Sequence, residues 1–171
     1  MISEKIQKKL NEQIQKEFYS AYLYLSMEAY FSSKNLSGFA NFFRVQAQEE
    51  RDHAMMFFNY VNHVSGKVKL GMIEEPKSEF GSIEEVLKMA LEHERFVTSS
   101  IYSIVDQAIE EKDHKTNAFL QWFVTEQAEE EATAEANLEK IKLIGSDARG
   151  ILMMDAEMAQ RVYTPAQTTQ A

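Results

Sequence analysis

Few residues in this chain can break a helix, and half of those that can are crowded into one place. Three of the six glycines (Gly66, Gly71, Gly81) and one of the two prolines (Pro76) fall within the seventeen residues Ser65–Gly81. Outside it, the stretches Glu4–Phe31, Gly38–Val64, Ile83–Glu111 and Thr116–Ile144 carry apolar residues at helical spacing. Each is about 28 residues, hence about 40 Å long as a helix. Ser3, Ser37 and Ser82 stand where N-caps belong, Ser82-Ile83-Glu84-Glu85 fits a capping box, and Gly145 fits a C-cap. Four helices of matched length predict a four-helix bundle. The breaks at Ser32–Asn35, at Glu111–Lys115 and at Gly145 are short, so the helices they join should be antiparallel. The Ser65–Gly81 connection can instead reach about 55 Å when extended, enough to return along a whole helix. Helices two and three should therefore be parallel and joined by a crossover.

The expected fold class is all-α: a four-helix bundle over residues 4–144 with one long crossover between helices two and three. A shorter apolar segment, Asp147–Val162, predicts a fifth C-terminal helix, with Ile151, Met154, Met158 and Val162 on one stripe. It is too short to join the main bundle. Residues 1–164 are expected to form a single domain, with 165–171 a disordered tail.

Composition narrows the chemistry. The absence of cysteine excludes a disulfide scaffold, thiol catalysis, zinc–thiolate sites and iron–sulfur clusters. The net charge, 18 minus 27 or −9, argues against nucleic acid and anionic membrane surfaces as partners. MISEKIQKKL lacks the apolar core of a secretory signal, and no window approaches the ~18 apolar residues of a membrane span. A soluble, cytoplasmic protein is expected.

The apolar stripes are where the sequence becomes specific. Helix one gives Leu10, Ile14, Glu17, Ala21, Tyr24, Glu28, Phe31; helix two gives Phe39, Phe43, Gln46, Glu50, His53, Phe57, Tyr60, Val64. Helix three gives Leu87, Ala90, Glu94, Val97, Ile101, Ile104, Ala108; helix four gives Leu120, Phe123, Gln127, Glu130, Ala134. Polar groups interrupt every stripe near its middle, at comparable heights. An unpaired buried carboxylate costs several kcal/mol, against a total stability of about 5–15 kcal/mol. No lysine or arginine lies on these stripes. The carboxylates therefore either share protons at raised pKa values or bind multivalent cations. Oxygen ligands with one imidazole suit iron, manganese or zinc. Glu50-Arg51-Asp52-His53 supplies the Glu-x-x-His unit of carboxylate-bridged dinuclear sites. A second match, Glu111-Lys112-Asp113-His114, lies in a polar turn and reads as solvated, and His63 and His93 read as ordinary polar-face residues.

The stretches LNEQIQKEFYSAYLYLSM, QAQEERDHA, LEHERFVT and LQWFVTEQAEEE, followed by IGSD, resemble a bacterial-type non-haem ferritin over Leu10–Ile144. The resemblance implies Fe(II) oxidation by O2 (or peroxide) at a paired site, with ferric mineral stored inside a homo-oligomeric shell of 24 subunits. It implies that Glu17, Glu50 and His53 hold a first iron. Glu50 would bridge to a second iron held by Glu94 and Glu130, with Gln127 a ligand or hydrogen-bond partner and Tyr24 beside the site. Glu49, Glu126 and Glu129, with Glu130, match a third iron position, although the acidic run Glu126–Glu131 reads equally as solvated surface. No haem is expected, because Arg51 stands where bacterioferritins carry the haem-ligating methionine. Helix four lacks the second Glu-x-x-His, which argues against ribonucleotide-reductase and monooxygenase relatives. Asn117 and Leu120 match the acidic three-fold pore positions of vertebrate heavy chains, so the iron route stays unassigned. Two other functions are compatible with the same bundle: a passive shell subunit without fast oxidation, and a non-storage di-metal oxygenase.

Overall fold

The computed structural model describes residues 2–166; the expectation of disorder for residues 167–171 lies outside the described residues. The described elements are five helices: α1 (Glu4–Ser33), α2 (Ser37–His63), α3 (Ile83–Glu110), α4 (His114–Ile144) and α5 (Ala148–Met158). Among them, no helix is long and apolar enough to cross a membrane.

The helix ends show which local signals held. The Ser3 hydroxyl accepts the Ile6 amide at 3.1 Å, and the Ser82 hydroxyl accepts the Glu85 amide at 3.1 Å. Glu85 completes the box one residue early, accepting the amide of Gly81 at 2.7 Å. Gly145 ends α4 at φ +61°, a conformation that favours glycine. Ser37 does not cap α2: Leu36 is the N-cap, with no side-chain cap hydrogen bond. The cap comes from another helix. Asp155 of α5 accepts the Gly38 and Phe39 amides through Oδ1, at 2.8 and 2.9 Å. A Cβ on Gly38 would lie 1.6 Å from the Asp155 carbonyl oxygen, so glycine is what lets α5 come this close.

The crossover runs beside α1 in the same direction. Gln7 accepts the Lys67 amide, Asn11 accepts the Lys69 amide and the Ser26 hydroxyl donates to the Lys77 carbonyl. The contacts between α1 and α3 run in opposite order, Lys9 to Ser103, Lys16 to Ser100 and Ser20 to His93. Thus α3 is antiparallel to α1 and parallel to α2, as the long connection requires.

The core divides into two apolar clusters. One gathers Leu23, Met27, Phe31, Phe39, Phe43 and Leu87; the other gathers Ile6, Leu10, Phe57, Ile101, Leu120 and Phe123. Leu120 is fully buried in this core. The α5 helix joins the first cluster through Met154 and Met158. Its apolar stripe stops there: Val162 lies beyond the helix and is 79% exposed.

Candidate metal centre

Between the two apolar clusters lies a polar layer to which all four long helices contribute. The i, i+3 and i, i+4 spacing turns Gln13, Glu17, Ser20 and Tyr24 of α1 inward, and does the same for Gln46, Glu50 and His53 of α2. From α3 and α4 come Glu94, Thr98, Gln127 and Glu130. None of the four central glutamates is more than 7% exposed.

One ligand atom from each of Glu17, Glu50 and His53 falls within 4.8 Å of the others. Glu17 Oε2, Glu50 Oε2 and His53 Nδ1 are buried and have no hydrogen-bond partner. The last two lie 3.5 Å apart. Buried polar atoms are nearly always satisfied, so three unsatisfied ones facing a common point suit a cation shared among them. The other Glu17 oxygen is tied down: Oε1 accepts from Gln13 at 2.8 Å. Gln13 Oε1 in turn accepts from Ser100 at 2.6 Å, and Ser100 accepts from Lys16 at 2.6 Å. This chain fixes which way the Gln13 amide points and leaves only Oε2 of Glu17 free.

Glu94 and Glu130 are held differently. Glu94 Oε1 accepts from the Tyr24 hydroxyl, and Oε2 accepts from Gln127 at 3.0 Å. Glu130 Oε2 accepts from Gln46 at 2.6 Å. Burial, reinforced by the charge of Glu50, pushes Glu17 up to about 8; burial and the charge of Glu94 push Glu130 up to about 7. Burial, then the charges of Glu94 and Glu130, hold Glu50 well above the usual carboxylate range. Burial raises Glu94 as well, opposed by its bonds from Tyr24 and Gln127. Four carboxylates that resist ionisation together become ionised when a multivalent cation supplies the missing positive charge.

The ferritin-like domain model of the ferritin family matches residues 7–144. A bacterial non-heme ferritin of Campylobacter jejuni is 41% identical, covering 91% of this chain and 93% of that protein. The chain belongs to the ferritin family. A bacterial non-heme ferritin of Staphylococcus epidermidis is 38% identical, over 95% of this chain and 98% of its own. Among solved structures, an open-pore ferritin from Archaeoglobus fulgidus is 50% identical with a TM-score of 0.93, covering 95% of this chain and 100% of that one. The bundle with its single long crossover is the ferritin fold.

The remaining acidic candidates of this ferritin-family chain sit outside the buried layer. Glu49 is half-buried and pairs with Arg161; Glu126 is half-buried, and its charge acts on Glu49; Glu129 is exposed. His93 is not a solvated polar-face residue. It packs between Tyr19 and Tyr24, bonds Ser20 Oγ at 2.7 Å, and burial pushes it down to about 4. Sequence reasoning passed over Gln13, Ser100 and Arg161. Gln13 left a trace, a polar residue one turn before Glu17, but the stripe steps from Leu10 to Ile14 and skips it. Arg161 left none, because it reaches the centre from 112 residues away.

Proposed function

We propose that the chain stores iron and oxidises Fe(II) with O2 at this centre. The observation that carries the reading is the convergence of three buried, unpartnered ligand atoms from Glu17, Glu50 and His53. Fe(II) enters as substrate. Glu17 and His53 hold one ion, Glu50 bridges, and Glu94 and Glu130 hold the second. Gln127 and Tyr24 act on Glu94 by hydrogen bonding. Two ions held together, each passing from Fe(II) to Fe(III), deliver two electrons to one O2, reducing it to the peroxide level. Burial keeps bulk water from the reacting pair and strengthens the carboxylates' hold on the ferric product.

The space on the α3–α4 side of the centre favours a metal ion over an organic substrate. The cavity beside Tyr24, Gln46, Glu94 and Glu130 is about 10 Å³, room for about one water. That weighs against an oxygenase. A homo-oligomeric shell of 24 subunits with ferric mineral inside completes the proposal. It is supported by the family relatives and by the outward face of α5, where Leu152 is 62% and Met153 75% exposed.

Stopped-flow oxidation at about two Fe(II) per chain tests the reading. The wild type should show a fast phase that Glu17→Ala, Glu50→Ala and His53→Ala each abolish, with the assembly intact on a sizing column. A fast phase at wild-type rate in all three variants would overturn the site. Slow oxidation in the wild type would leave the passive shell, and elution as a monomer or dimer would favour the oxygenase. Leu152→Glu with Met153→Glu should impair assembly while leaving the helical content unchanged.

A further inference from the structure

The segment after α5 lies as a strap along α2. Asp155 of α5 caps the first turn of α2, and beyond α5 the Arg161 carbonyl accepts from Asn41 at 2.9 Å and the Tyr163 hydroxyl donates to Asp52. Arg161 is thereby placed at the rim of the metal centre. Its guanidinium stacks 4.4 Å from the centroid of Phe42, donates to Gln46 Oε1 at 2.5 Å and donates to Glu49 Oε2. Gln46 then donates its own amide to Glu130. One guanidinium therefore engages Glu49 directly and Glu130 through a single amide, and its charge acts on both carboxylates. Those are two of the four acidic groups that resemblance assigned to a third iron, and of the other two Glu126 is only half-buried and Glu129 is exposed.

We propose that Arg161 is a resident organic cation of the centre, standing in the third cation position. The bundle then holds two metal ions, and a third enters beside Glu49 only in exchange for the guanidinium. This rests on the two-metal reading above. The fork is already seated on its two acceptors and backed by an aromatic face, so a metal that takes Glu49 Oε2 must break the Arg161–Glu49 hydrogen bond and displace the guanidinium's charge. Arginine also stays charged at every working pH, so acidity or alkalinity does not relieve the competition. Displacing the guanidinium would free the Gln46 amide as well, coupling the strap to the way Glu130 is held.

Zn(II), which has no redox chemistry, is the probe, titrated by calorimetry into the assembled protein. The wild type should take two ions per chain inside the bundle. Arg161→Gln should add a third, or tighten a weak third by about 10-fold or more, the scale on which partners around a metal site act. The gain should vanish in the double variant Glu49→Gln/Arg161→Gln. Equal stoichiometry and affinity in wild type and Arg161→Gln would overturn the proposal, as would a gain that survives loss of Glu49. Where Arg161→Gln fails to assemble, anomalous scattering from Zn(II)-loaded wild-type crystals decides. Two peaks with Arg161 still on Glu49 support the proposal; a third peak on Glu49 with the guanidinium in place sinks it. Failure of the two-metal reading would show separately, as a wild type whose first two ions are absent or survive Glu50→Ala.

Discussion

On the α1–α2 side of the centre, Glu17 and Glu50 each keep one buried oxygen without a partner, and the imidazole of His53 keeps one nitrogen. On the α3–α4 side, both oxygens of Glu94 and one of Glu130 already accept hydrogen bonds, from Tyr24, Gln127 and Gln46. The residue types are nearly the same, and the difference lies in what surrounds them. A cation arriving at the first side displaces no neighbour's hydrogen bond from the three unsatisfied atoms, only the proton that Glu17 holds. At the second side it must displace or share hydrogen bonds to carboxylates, each worth about 1.5–3 kcal/mol. The two sides should therefore fill in order, and Glu50, which feels the charges of Glu94 and Glu130, links them.

The largest test of that asymmetry sets Glu50→Ala against Glu94→Ala. In the proposed two-metal arrangement, removing Glu50 takes a ligand from both sides. Metal binding and fast oxidation should fall by more than about 100-fold, beyond the roughly 10–100-fold range of outer partners. Removing Glu94 should abolish the second Zn(II) while the first still binds within a few-fold of wild type, read by calorimetry. If Glu94→Ala loses both ions, the sides are not independent and the order of filling is wrong.

A smaller effect is expected at Gln13. Its amide holds Glu17 Oε1 and is itself oriented by Ser100 and Lys16. Gln13→Ala frees the Glu17 carboxylate to rotate away from His53. First-ion affinity should drop by about 10-fold. The second side shares no hydrogen bond with Gln13, so the Glu94 sub-site should respond only through the first. A loss confined to the second ion would show that Gln13 acts on packing rather than on Glu17.

How much of this was legible in the sequence depends on distance along the chain. The crossover and the four helix spans followed from breaker placement, and helical periodicity put Glu17, Glu50, His53, Glu94, Gln127 and Glu130 on buried arcs. Those residues do share one buried layer, because a 3.6-residue repeat is a local property that tertiary packing did not override. The readings that failed were set by remote partners. Ser37 should cap α2 by local rules, yet Asp155, 118 positions on, takes its place by donating no hydrogen and accepting two amides. His93 reads as polar-face until Ser20 and two tyrosines close over it. No lysine or arginine lies on the stripes, and Arg161 reaches Glu49 from outside every one of them.

Protonation gives the finest distinction between the two sides. In the metal-free protein Glu17 rises to about 8 and Glu130 to about 7, while both titrate near 4.5 once unfolded. Below pH 4.5 both states hold the protons, and neither group affects stability. Above it the unfolded chain releases protons that the folded chain keeps, so each group makes stability fall as pH rises. The slope is at most about 1.4 kcal/mol per pH unit for each group. The fall from Glu130 ends near pH 7, and that from Glu17 near pH 8. The melting temperature of the metal-free protein should therefore decline between pH 5 and 8. Glu17→Gln should flatten the decline over that whole range, whereas Glu130→Gln should flatten it only below about pH 7. Zn(II) binding should release the same protons, measurable by calorimetry in buffers of different ionisation enthalpy. A melting curve that rises with pH, or identical slopes in the two variants, would mean that these carboxylates are already ionised before metal arrives.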